Sequence, residues 1–253
     1  METMVDINFD FTLDSPGYWD NFWNNKGGMG GGSCDPDAVC PTLLKYHQIL
    51  WSKTLPCGKE MVLTPDSYKI GKKSNNLFLR WENFSFSSDF VLPSFRYHRL
   101  NNLISELKET FDYCGYIEKF LHKAYTIGGF MIWPLRGQSI NQTRGCNARI
   151  CDRMDRTLEC IRRFYLGEES PMSKCFERDK EFFDLFVDFK GFVDFFFLQD
   201  MVSDDYNSII FGLGDADLNK PALPKTKEEY FHWMDYQIDF LNARNQRIKN
   251  RLM

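Results

Sequence analysis

The sequence lacks most of the local patterns that announce a known chemistry. Its opening stretch, METMVDINFDF, has no basic segment followed by an apolar one, so no secretory signal is read here. No apolar run approaches the ~20 residues that a bilayer-spanning helix needs. No CxxC pair occurs among the eight cysteines. The expected setting is therefore the cytoplasm, where scattered thiols stay reduced and act as small hydrophobes. Cys34, Cys40 and His47 match no familiar zinc spacing. GGMGGGS, from Gly27 to Ser33, is not followed by the GK[ST] of a phosphate loop and reads as a flexible connector. HExxH, the nucleophile elbow, the kinase set and the dinucleotide fingerprint are all missing. DADLNK, which begins at Asp215, lacks the Gly and Glu of a calcium loop. None of the four histidines follows an arginine by four to six residues, as in familiar helical ribonucleases. A net charge of −4 argues against a protein that coats a polyanion with a broad basic surface.

What is present is a globular composition, 43% hydrophobic with 24 Phe, which is too aromatic for a disordered chain. Val5, Ile7, Phe9, Phe11 and Leu13 alternate with polar residues, the period of a half-buried strand. TLLKYHQILWS reads as a short helix, and 60–64 and 77–86 read as strands. From Ser94 the spacing turns helical, through Phe111 and on over 115–126. GGFMIWP reads as a buried strand closed by Pro134. The Phe-rich segment 175–202 reads as a core helix, with Gly191 marking a close crossing or a break. YNSIIF suits a last strand. Thr226 suits a helix N-cap ahead of a closing helix that runs to about Asn250. No domain boundary is visible. The fold class read from this order is α+β, one domain over 1–253, with an N-terminal strand-containing part packed on a mainly helical C-terminal part. Charge is uneven along it: seven acids against one Lys through Asp37, then four bases and no acidic side chain after Asp239. These ends could meet each other or a partner protein, a second copy of the chain included.

The most unusual stretch is RGCNARICDRMDRTLECIRR, with six arginines between Arg144 and Arg163. Placed on one helix over 146–165, Ile150, Met154, Thr157, Leu158, Ile161 and Tyr165 share a buried face. Arg149, Arg153, Arg156 and Arg163 then form one flank, and Asp152, Asp155 and Glu159 the far side. Asp152–Arg156 and Glu159–Arg163 are favourable i, i+4 pairs, each contributing about 0.2–0.5 kcal/mol. Asp155 has only acids beside it on that face. It therefore calls for Arg162, the basic C-terminal helix or a metal ion. A structural ion-pair network is one reading. Another is a phosphate site, in which forked guanidinium contacts from Arg144, Arg149, Arg153 and Arg156 hold the ligand and Asn141 positions it. The polar loop SINQTRG ahead of the helix suits an anion too. A third reading makes Asp152, Asp155 or Glu159 a metal holder or proton carrier, and His47, near Lys53, a general base. No cofactor is predicted on this basis beyond that divalent ion.

TLLKYHQILWSKTLPCG, TIGGFMIWP, INQTRGCNARICDRMDRTLECIRRFY, LFVDFKGFVDFFFLQDMV and ARNQRI together resemble a family of uncharacterised bacterial proteins carried as a domain of unknown function. The resemblance spans nearly the whole chain and implies a bacterial cytosolic protein that folds as one unit. It implies no activity and no catalytic residue. The family pattern often has a histidine after the paired arginines, where this chain has Phe164, which weighs against a mechanism that needs that histidine. The expected function is binding of RNA or a nucleotide through the arginine-rich helix, in a bacterial stress or phage-defence setting. The alternatives are a metal- or carboxylate-dependent enzyme acting on such a ligand, and a non-enzymatic interaction module.

Overall fold

In the computed structural model, residues 5–24, 34–66, 77–91, 100–136, 138–139, 147–150, 153–214, 216–221 and 223–252 are described. The chain is α+β. Helices α1 (Tyr18–Asn24), α2 (Pro36–Val39) and α3 (Pro41–Trp51) lead into strands β1 (Thr64–Pro65), β2 (Leu79–Trp81) and β3 (Phe84–Phe90). Helices α4 (Asn101–Thr110) and α5 (Tyr113–Ala124) separate these from β4 (Phe130–Arg136) and β5 (Gln138–Ser139). Then come α6 (Asn147–Ile150), α7 (Met154–Tyr165), α8 (Ser173–Arg178), α9 (Lys180–Asp184), α10 (Phe189–Phe195) and the long α11 (Lys227–Leu252). The strands form an antiparallel sheet in sequential order, centred on the β3–β4 pair, whose register runs from Ser85↔Leu135 to Phe90↔Phe130. No helix among the described residues is long and apolar enough to cross a membrane.

β4 is buried from Phe130 through Pro134, so both faces of the sheet are covered at its centre. That explains why its sequence is an apolar run without alternation. Pro134 lies inside β4 instead of closing it. It is tolerated because β5 pairs only with Leu135 and Arg136 and does not reach it.

The structure corrects several expectations. The alternating segment at the start is no strand: Phe11–Asp14 is a 3-10 turn begun by Asp10, whose carboxylate accepts from the Thr12 amide. Phe11 still reaches the core, meeting the rings of Tyr46 and Phe130 edge-on. Of 60–64, only Thr64 enters a strand. YNSIIF contributes a single bridge, Val202↔Ile209. Several charges of the acidic start and the basic end find partners elsewhere. Asp14 caps the Thr42 amide, Asp10 meets His122, and Arg247 forks onto Asp200. Thr226 does cap α11 through the Glu229 amide.

The Phe-rich segment is three short helices, because the chain reverses between them. Phe186 sits at the hub, with the rings of Phe182, Phe192, Phe195 and Phe196 all within 5.1–5.3 Å. A straight helix could not bring residues four to ten apart around one ring. The break falls at Val187, in the left-handed region at φ 71°, and Asp188 restarts the helix by accepting from the Gly191 amide at 2.7 Å. Gly191 is needed there, since a Cβ would lie 2.1 Å from the Phe186 carbonyl oxygen. Val187 is 62% exposed, so its β-branched side chain gains little from burial while its backbone is strained. Replacing Val187 by Asn should raise stability by about 1 kcal/mol, read as a higher denaturant midpoint at unchanged slope. An unchanged or lower midpoint would show that the position is not strained.

Candidate functional site

The arginine-rich stretch does not form one helix. α6 ends at Ile150 and α7 begins at Met154, with Arg153 at the junction in an extended conformation (φ −101°, ψ 121°). This break rotates Arg153 and Asp155 away from the positions a continuous helix would give them. As a result, every residue from Arg153 to Ile161 is buried, not only the apolar face.

Asp155 is the hub. It is fully buried and accepts four hydrogen bonds. Arg153 forks onto both its oxygens, Nε at 3.0 Å and Nη2 at 2.5 Å. The Arg156 amide gives a third at 2.8 Å, and the Gly212 amide a fourth at 3.2 Å. A buried carboxylate survives desolvation only with such partners. The Arg153 guanidinium also lies over the Trp233 ring of α11, 4.6 Å from its centre. Gly212 must be glycine to reach Asp155, because a Cβ there would come within 2.3 Å of the Trp233 ring.

Arg156 is buried as well. Its Nη2 donates to the Asp217 carbonyl at 2.6 Å and the Lys220 carbonyl at 2.7 Å, closing the 217–220 turn onto α7. Glu159 accepts from Arg162 (2.8 and 3.0 Å) and Arg163 (2.8 Å). Burial alone would raise its carboxyl, but these hydrogen bonds outweigh burial and hold it below the usual carboxylate range.

Of the sequence-predicted ligand residues, the structure thus brings Arg153 and Arg156 together with Asp155, facing inward. The partner found for Asp155 is Arg153 and two amides, not Arg162 or the basic end of α11. The Glu159–Arg163 pair forms as its spacing indicated. Arg149 is half-buried, and no described group bonds to it. Asn141, Arg144 and Asp152 lie outside the described residues. Among the described residues, no three His, Cys, Asp or Glu side chains converge where they could hold a metal ion.

The segments that Asp155 and Arg156 hold form the wall of an open cleft of about 430 Å³. Phe211, Leu213, Pro221 and Leu223 give it apolar sides; Lys225, Glu229 and His232 give it polar ones. The Glu229 carboxylate accepts from the Lys225 amide at 2.7 Å, which fixes the corner where the chain enters α11. Sequence reasoning missed this cleft because its residues are spread over 211–232 and carry no motif. The one available signal was the unmatched Asp155, which demanded donors from elsewhere in the chain.

A family signature described as a family of unknown function, DUF6994, matches residues 5–248. The chain belongs to the DUF6994 family. No curated protein and no solved structure matches it. Membership in DUF6994 covers the sheet, the arginine cluster and nearly all of α11, but brings no activity with it.

His47, the other candidate, is buried in the core beside the sheet. Its Nδ1 accepts from the Trp51 indole at 2.9 Å, and an indole can only donate. The neutral ring therefore carries its hydrogen on Nε2 and donates to Ser88 Oγ at 2.8 Å. Both nitrogens are engaged in the wrong sense for taking a proton from Ser88, so this is no serine–histidine dyad. Burial, reinforced by the Arg244 charge, pulls His47 down to about 3 from 6.5. The sign follows. The unfolded chain takes up a proton as pH falls through 6.5, and the folded chain does not until about 3. Stability is full above 6.5 and is lost across that window, at up to about 1.4 kcal/mol per pH unit. Between pH 6 and 4, His47→Gln should show a shallower loss of stability than the native protein, by about 1 kcal/mol per unit. Parallel curves would show that His47 does not titrate on unfolding.

Proposed function

We propose that this protein binds a small phosphate-bearing ligand, a nucleotide in the first instance, in the cleft between 211–214 and the start of α11. The observation that carries this reading is the direction in which the buried arginines face. Arg153 and Arg156 are turned toward the protein's own oxygens, and through Asp155, Asp217 and Lys220 they fix the walls of that cleft. Their role is to position a site, and the ligand contacts fall to its lining. Phe211 and Leu223 offer a surface for a flat base, and Lys225 and His232 offer charge and donors for phosphate. A cleft of this size, with apolar and polar groups in its lining, suits a small ligand better than a polymer.

Binding is favoured over turnover by the same contacts. Asp155 and Glu159 already accept from four and three donors, so neither is available to hold a metal or to move a proton. A cytoplasmic setting suits the described cysteines, which are free thiols.

Titration calorimetry with adenosine and guanosine triphosphates, with inorganic phosphate as a control, tests the reading. One nucleotide should bind per chain, and the double variant Lys225→Ala/His232→Ala should weaken it at least tenfold. Arg149→Ala should change the affinity less than twofold. No binding by the native protein would overturn the proposal. Binding of single-stranded RNA that Arg149→Ala abolishes and the double variant spares would move the site to the flank of α6.

A further inference from the structure

On the opposite end of α11 lies a second cleft, of about 480 Å³, lined by Lys53, Thr54, Pro56, Gly191, Phe197 and Arg251 among others. Lys53 lies two residues past the end of α3. Its backbone is tied down, its amide donating to the Trp51 carbonyl and its carbonyl accepting from Met61. Its ammonium nitrogen stands among three aromatic rings, 4.2 Å from the centre of Phe195, 4.5 Å from Phe197 and 5.1 Å from Trp51. Among the described residues a single oxygen accepts from it, the Phe195 carbonyl at 3.0 Å. No described carboxylate pairs with it. Asp194, which also lines this cleft, is engaged by Lys190, by Tyr206 at 2.6 Å and by Gln199 at 2.9 Å.

The charges that face Lys53 are of its own sign. Arg251 and Arg244 approach from α11, and His47, one and a half turns back, is neutral. Ring faces attract an ammonium. Burial first, then the two guanidinium charges, outweigh that attraction and pull Lys53 from 10.5 to about 7. At neutral pH a large share of this amine is unprotonated, whereas an ordinary surface lysine is almost wholly charged.

We propose that Lys53 is a nucleophilic amine that condenses with small aldehydes or 2-oxo acids carrying an anionic group, the carbonyl carbon meeting Nζ and the anion resting on Arg251. Lys53, its Nζ caged by the three rings, lines an open cleft, and the exposed Arg251 lines the same cleft. The unprotonated amine adds to the carbonyl carbon, giving a carbinolamine. That intermediate loses its hydroxyl as water, leaving a C=N bond to Nζ. One water is released per imine, and no oxidant or reductant takes part. This site is separate from the nucleotide cleft, and its test does not depend on that reading.

The test treats the full chain with glyoxylate at pH 7.5 in the presence of cyanoborohydride, which reduces the imine to a stable secondary amine. Modified lysines are then mapped by peptide mass spectrometry at short times. Lys53 should be labelled at least tenfold faster than the exposed Lys119 and Lys249. Its rate should rise with pH and level off above about 7, while theirs keeps climbing. Arg251→Ala should lower the ratio of glyoxylate to acetaldehyde labelling at Lys53 severalfold, since only glyoxylate carries the anion. Labelling of Lys53 no faster than Lys119 would overturn the proposal. An unchanged ratio in Arg251→Ala would overturn the part assigned to Arg251.

Discussion

A guanidinium keeps its charge at neutral pH, so a fold that buries one must bring oxygens to it. Among the described residues this chain buries three. Arg153 meets the Asp155 carboxylate, Arg156 meets the carbonyls of Asp217 and Lys220, and Arg244 meets the carbonyls of Gly128, Phe130 and Phe196. The Arg156 and Arg244 bonds join segments far apart in the chain, whereas Arg153 meets a carboxylate two residues on, which in turn accepts from the Gly212 amide. Arg244 ties α11 to the start of β4 and to the end of α10. Arg156, and Asp155 held by Arg153, tie α7 to the 212–220 segment. Burial pulls Arg244 down to about 9, which still leaves it charged at neutral pH, with no carboxylate among the described residues paired to it. Its three carbonyls are therefore as much a requirement of the architecture as the hydrophobic core.

The two ends of α11 then differ in kind. Near its start, charge is matched internally, and the matched groups hold the rim of a cleft whose own lining remains exposed. Near its end, Arg247 is matched by Asp200, while Lys53 sits among rings and guanidinium charges with no described carboxylate paired to it. The aromatic content of the chain serves both. Trp233 backs the Arg153 guanidinium, while Trp51, Phe195 and Phe197 surround the lysine.

Periodicity made much of this legible in advance. The helix around His47, the buried strand before Pro134, the capped closing helix and the buried face of α7 all follow from residue spacing. The breaks do not. Nothing local in RICDRMDR says that the helix stops and restarts at Arg153, because the reason is a carboxylate that must reach an amide 57 residues away. Likewise the Phe-rich segment has a helix's spacing, yet it folds back on Phe186 because four other rings pack around that one. Solvated flanks and buried ion pairs look alike in sequence; only tertiary contacts decide whether an arginine faces water. The unmatched position of Asp155 was the single hint that the arginines were not all surface groups.

The central claim is that Arg153 and Asp155 form one buried unit that holds the cleft wall. A double-mutant cycle with Arg153→Met and Asp155→Leu, followed by denaturant unfolding, measures it directly. Each single change should cost about 3–5 kcal/mol by stranding a buried charge, and the double change should cost far less than their sum. Additive costs would contradict the account, because the two side chains would then be acting independently.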